Sequence, residues 1–102
     1  MDAVLTAKLP EVKKLMRSHG VEACYLFGSA VRGNIQRESD YDLLVRFSEG
    51  VPVLQYADNY FDLLEKLGTL LGRPIDLVTE RSLRNPILIE EIRNTRVPIY
   101  ES

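Results

Sequence analysis

Asp40 and Asp42 are the residues of this 102-residue chain whose type and spacing speak most directly of chemistry. They flank Tyr41 at the head of an apolar run, Leu43-Leu44-Val45, that reads as a strand. Side chains alternate along a strand, so the two carboxylates project to one face and Tyr41 to the other. Like charges side by side repel, and one carboxylate holds a proton unless a cation intervenes. No Lys or Arg stands within two positions on that face, because Glu38 and Leu44 fill the flanking sites. A hard divalent ion held by oxygen ligands resolves the conflict. Mg²⁺ commonly takes a carboxylate or two together with substrate phosphates.

Upstream, the apolar run Tyr25-Leu26-Phe27 stops at Gly28-Ser29. Glycine allows a tight turn and a close backbone approach, and Ser29 is placed to open a short helix over 30–35. Free N–H groups at such a helix start, with a hydroxyl at the cap, suit an anion. Strand, Gly-Ser turn, short helix and a strand carrying two carboxylates together predict a site for nucleotide phosphates and a metal. Arg32 and Arg37 fall beside the expected phosphates, where pairing with Glu38 or other surface acids is an equal reading.

The pattern G-S-x10-D-x-D, made here by Gly28, Ser29, Asp40 and Asp42 with Arg32-Gly33 between, resembles the signature of the polymerase-β-like nucleotidyltransferase superfamily. The short chain is most similar to the minimal nucleotidyltransferase (MNT) group, over roughly residues 9 to 100. Val31 departs from the small alanine usual before the arginine, a change expected to alter packing and not chemistry. The resemblance implies that Asp40, Asp42 and Asp76 are catalytic and bind two Mg²⁺ ions. It also implies that Gly28, Ser29 and Arg32 hold the nucleotide, with ATP as substrate. Asp76 sits in an apolar stretch, Ile75-Asp76-Leu77-Val78, where plain solvation or a turn cap is the other reading.

Many members of the MNT group are antitoxins paired with a HEPN-domain ribonuclease toxin. The resemblance therefore implies transfer of AMP to a hydroxyl of such a partner, a tyrosine by expectation, within a hetero-oligomer and with no direct contact to nucleic acid. Larger relatives carry a further helical domain for the acceptor, for which this length leaves no room. Two other readings compete: a nucleotide-binding module that masks its partner sterically, and a subunit that modifies a small molecule such as an aminoglycoside.

Bulk properties are compatible with these expectations. The length fits one domain spanning residues 1–102. A hydrophobic share of 45% and a charged share of 27% are those of a soluble globular chain. A net charge of −2 gives no general attraction to nucleic acid or to anionic membranes. The single Cys24 cannot close an internal disulfide and suits a reducing cytoplasm. No apolar run approaches the ~20 residues of a membrane span, and no signal peptide is visible.

The elements that must position these residues follow from periodicity. Residues 2–8 read as a loose helical turn. Pro10 starts a helix with Val12, Leu15, Met16 and His19 on one face, closed by Gly20. Strands are expected over Ala23 to Phe27 and Tyr41 to Phe47. A long helix, Val53 to Leu71, repeats Leu54, Ala57, Phe61, Leu64, Leu67 and Leu71 and ends at Gly72. Arg73-Pro74 leads into the strand Ile75 to Val78, and Asn85-Pro86 starts a helix to about Asn94 with Leu88, Ile89 and Ile92 inward. Val97 to Tyr100 forms an edge strand, where Pro98 is tolerated. The expected fold is α/β (α+β): a small mixed sheet with helices packed mainly on one side. Cys24 and the five tyrosines are assigned to packing, with stacking of one tyrosine on a base as the other reading, and His19 to the favourable end of a helix dipole.

Overall fold

Alternation along Tyr41–Phe47 divides the sheet into two faces. Tyr41, Leu43 and Val45 are fully buried on one face, while Asp42 and Leu44 point to the other. The computed structural model describes residues 3–28 and 41–102. Its elements are α1 (Ala3–Ala7), α2 (Leu9–Ser18), β1 (Val21–Phe27), β2 (Tyr41–Phe47), α3 (Val53–Leu71), β3 (Ile75–Thr79), α4 (Pro86–Thr95) and β4 (Val97–Glu101), with a 3-10 turn at Glu80–Ser82. The sheet order is β3-β2-β1-β4. β1 runs antiparallel to β2 and β4, and β2 runs parallel to β3. The parallel pair is possible because α3 carries the chain back between β2 and β3.

On one face α1, α2 and α3 press Leu5, Val12, Met16, Leu63 and Leu67 against Cys24, Leu26, Tyr41, Leu43 and Val45. The opposite face is smaller: Ala23, Tyr25 and Leu44 are covered by Ile92 of α4. The expected mixed sheet with helices mainly on one side is therefore what forms. α4 starts as anticipated, with Asn85 Oδ1 accepting from the N–H groups of Ile87 (3.0 Å) and Leu88 (3.4 Å). α3 stops at Gly72, whose φ of 67° is the left-handed helix end that favours glycine.

Two helix faces differ from expectation. In α3 the inward line is Leu63, Leu67 and Leu71, while Leu54 and Phe61 are 83% and 66% exposed. At 100° per residue the leucine series drifts around the helix. Tyr56 and Tyr60 share the side of Leu63 and Leu67, and they take the half-buried positions assigned from sequence to Leu54 and Phe61. In α4 only Ile92 is buried and Leu88 is 40% exposed, because the C-terminal half alone reaches the Ala23–Tyr25–Leu44 patch.

Candidate active site at the head of the parallel strand pair

The site is built where β1 ends and β2 and β3 begin. Pairing places Phe27 of β1 opposite Asp42 of β2, and Asp42 beside Asp76 of β3. Because the β2–β3 register is unshifted, the two aspartates share a face and their strands lie ~4.8 Å apart. The intervening Tyr41 turns its ring into the helix-covered core, as the period of two requires. Asp42 is half-buried and Asp76 is exposed, so the carboxylates line a surface open to solvent.

Gly28 closes the site from β1. Its φ is 78°, a left-handed conformation that a side chain disfavours. A Cβ at this position would collide with the Asp42 carboxylate. Glycine is therefore demanded twice, by backbone conformation and by the space that Asp42 occupies. Gly28, at the end of β1, is thereby brought against the acid on β2. Ser29, Arg32, Arg37 and Asp40, together with the short helix expected over 30–35, lie outside the described residues.

The donor set suits a hard cation. Asp42 and Asp76 offer neighbouring oxygen ligands on one solvent-facing patch, the chemistry that Mg²⁺ selects. Among the described residues no three acidic, histidine or cysteine side chains form a metal-sized cluster, and Asp40 would have to complete one. From the helix-covered side of the sheet, Tyr60 of α3 donates its hydroxyl to the carbonyl of Leu77, the residue after Asp76, at 2.5 Å. Burial raises the Tyr60 phenol pKa above its ordinary value, and the charge of Asp76 adds to the rise.

Other polar groups are occupied elsewhere. A cleft of about 340 Å³ lies at the far end of β2, next to Arg46. Arg46 is held there between Glu22 (3.2 Å) and Glu80 (3.5 Å), which satisfies its charge away from the carboxylates. Cys24 is fully buried and its thiol is pushed up to about 12 by desolvation, so it is inert, as its assignment to packing implies. Among the described residues no helix is long and apolar enough to cross a membrane.

A small four-stranded mixed sheet with Gly28 against Asp42 and Asp42 beside Asp76 is the frame of the site, and comparison with known proteins places its fold among the nucleotidyltransferases. Residues 11–102 match the family Polymerase beta, Nucleotidyltransferase, and the chain belongs to that family. It is 38% identical over 87 residues to protein adenylyltransferase MntA of Thermococcus cleftensis, covering 85% of this chain and 81% of that one. A solved structure of a chain assigned as a minimal nucleotidyltransferase superposes with a TM-score of 0.77 at 38% identity, covering 96% of each chain. A toxin–antitoxin structure with AMP-PNP contains a chain of the same fold, with a TM-score of 0.71 and 25% identity, covering 92% of this chain and 73% of that one. The protein is an enzyme of the nucleotidyltransferase type.

The sequence alone pointed to Gly28, Asp42 and Asp76, and the described structure brings these three elements together. It passed over Tyr60, which was assigned to packing. The signal available was positional: Tyr60 falls on the α3 side that carries Leu63 and Leu67, where a phenol must find a hydrogen-bond partner.

Proposed function

We propose that this nucleotidyltransferase is a Mg²⁺-dependent antitoxin that transfers AMP from ATP to a tyrosine hydroxyl of a HEPN-domain ribonuclease toxin and so silences it. The observation that carries the reading is the side-by-side placement of Asp42 and Asp76, with Gly28 packed against the Asp42 carboxylate. The relative named protein adenylyltransferase and the toxin–antitoxin structure with AMP-PNP support a protein acceptor and an adenine nucleotide donor. ATP as donor, together with the lone buried Cys24, suits the cytoplasm.

In this reading the acceptor oxygen attacks the α-phosphorus of ATP. The bond from that phosphorus to the bridging oxygen breaks, and pyrophosphate leaves with the electron pair. Asp76, the more exposed of the two described acids, takes the proton of the acceptor hydroxyl. Asp40, Asp42 and Asp76 are the residues that would hold the two Mg²⁺ ions, and Gly28, Ser29 and Arg32 would hold the triphosphate. When bound, Mg²⁺ supplies positive charge to the phosphates and lowers the pKa of the acceptor hydroxyl. Gly28 contributes by lacking a side chain, which lets the backbone after β1 approach both the phosphates and Asp42.

The test is incubation of the purified chain with α-labelled ATP, Mg²⁺ and the protein encoded by the neighbouring gene. Covalent label on that protein, accompanied by loss of its ribonuclease activity, is the expected result. Inhibition without label, unchanged in Asp42→Asn, would replace enzymatic silencing by steric masking. Label on an added aminoglycoside and none on protein would move the acceptor to a small molecule.

A further inference from the structure

We propose that Tyr60 is a positioning residue, tethering the edge strand β3 through the Leu77 carbonyl so that Asp76 stays beside Asp42. The inference rests on the reading of Asp76 as a functional carboxylate and adds a residue outside that set.

Among the described residues β3 is the outermost strand of the sheet, only five residues long, with β2 as its one strand neighbour. A short edge strand held by a single ladder is the part of a sheet most prone to local opening. Asp76 lies on this strand, while its counterpart Asp42 lies on the interior strand β2. Any slip or fraying of β3 therefore changes the separation of the two carboxylates.

Tyr60 supplies a restraint from outside the sheet. Its hydroxyl donates to the carbonyl of the residue that follows Asp76, at 2.5 Å. The helix behind it is fixed, because Leu63 and Leu67 of α3 are fully buried in the main core and Leu71 is 4% exposed. The tether thus runs from the core through a rigid helix to the backbone next to the acid. A phenol is protonated at neutral pH and therefore able to donate, and burial strengthens that state. Ser82 provides an internal comparison, since its hydroxyl donates to the Thr79 carbonyl (2.8 Å), two residues further from the acid than Leu77.

Tyr60→Phe keeps the ring and removes only the hydroxyl. Amide hydrogen exchange at Asp76 and Leu77 is expected to accelerate in this variant, with the amides of β1 unchanged. Outer-sphere partners of metal ligands are commonly worth tenfold or more in affinity, so Mn²⁺ affinity and kcat for AMP transfer should each fall roughly tenfold, with KM for ATP changed less than about twofold. Ser82→Ala should leave exchange at Asp76 and the Mn²⁺ affinity as in the wild type. Added to Asp76→Asn, Tyr60→Phe should lower transfer no further. Wild-type exchange at Asp76 and Leu77 in Tyr60→Phe overturns the tether, as does the same fold-loss in the Asp76→Asn background. If Asp76→Asn retains full transfer while Tyr60→Phe still frees β3, the role of Asp76 fails and the tether stands. If Asp76→Asn abolishes transfer and Tyr60→Phe is silent in both readouts, the tether fails and Asp76 stands.

Discussion

Gly28 and Asp42 are packed so closely that a methyl group on the first would overlap the carboxylate of the second. A residue with a side chain at position 28 must therefore move the acid, change the turn, or both. Gly28→Ala should cost about 1 to 2 kcal/mol of stability from the left-handed backbone conformation. It should reduce AMP transfer by roughly 100-fold, the scale of a misplaced catalytic group. Thermal unfolding and transfer of labelled AMP check the two effects separately, and a normal rate in the folded variant would break the link between turn and acid.

A second prediction concerns pH. Asp62 on α3 accepts from His19 Nε2 at 2.6 Å and from Lys66 Nζ at 2.8 Å. Lys66 first, and His19 next, hold its pKa below the ordinary carboxylate value of 3.8. A carboxylate whose folded pKa is depressed adds stability that is fully present above 3.8 and is lost as pH falls through the folded value. Asp62→Asn should thus lower Tm at neutral pH, and the gap from wild type should close in acid below 3.8. Melting curves across pH test this, and a constant gap would contradict it.

Gly68 offers a change of the opposite sign. It lies inside α3 with a helical backbone, and a Cβ there would meet the Arg73 carbonyl at 3.7 Å, an ordinary contact. Replacing glycine by alanine in a helix interior removes unfolded-state freedom and is worth about 0.5 to 1 kcal/mol. Gly68→Ala should raise the free energy of unfolding by that amount, moving the urea midpoint upward without changing the slope.

Cys24 should be silent towards electrophiles. Its thiol is fully buried and raised to about 12. Alkylation by iodoacetamide at neutral pH should require prior unfolding, and rapid modification of the native chain would show that β1 opens far more readily than its packing indicates.

Much of this arrangement was legible in the sequence, for reasons that differ between elements. The Asp40-Tyr41-Asp42 triplet announces a strand with acids on one face because the period of two leaves no choice, and Tyr41 and Asp42 take opposite faces. Gly28 was legible as a turn, but its contact with Asp42 depends on the β1–β2 register, which local pattern does not encode. The placement of Asp76 against Asp42 likewise needed the parallel pairing of two strands separated by a long helix. The face of α3 was misread because leucine and phenylalanine outweigh tyrosine in a hydrophobic count. The sheet edge instead selects Tyr60, whose ring can be half-buried while its hydroxyl reaches a carbonyl. The hydrogen bond of His19 with Asp62 joins residues 43 apart and was invisible for the same reason: tertiary proximity, not spacing, creates it.

The central claim is that Asp42 and Asp76 act together on the triphosphate, and single-turnover AMP transfer by asparagine variants at those positions tests it most directly. Asp→Asn keeps shape and removes charge, so Asp42→Asn and the double variant with Asp76→Asn should retain the wild-type melting behaviour. Each should lose at least ~100-fold in rate, equivalent to about 2.7 kcal/mol of barrier. A folded double variant that still transfers AMP at the wild-type rate would contradict the account.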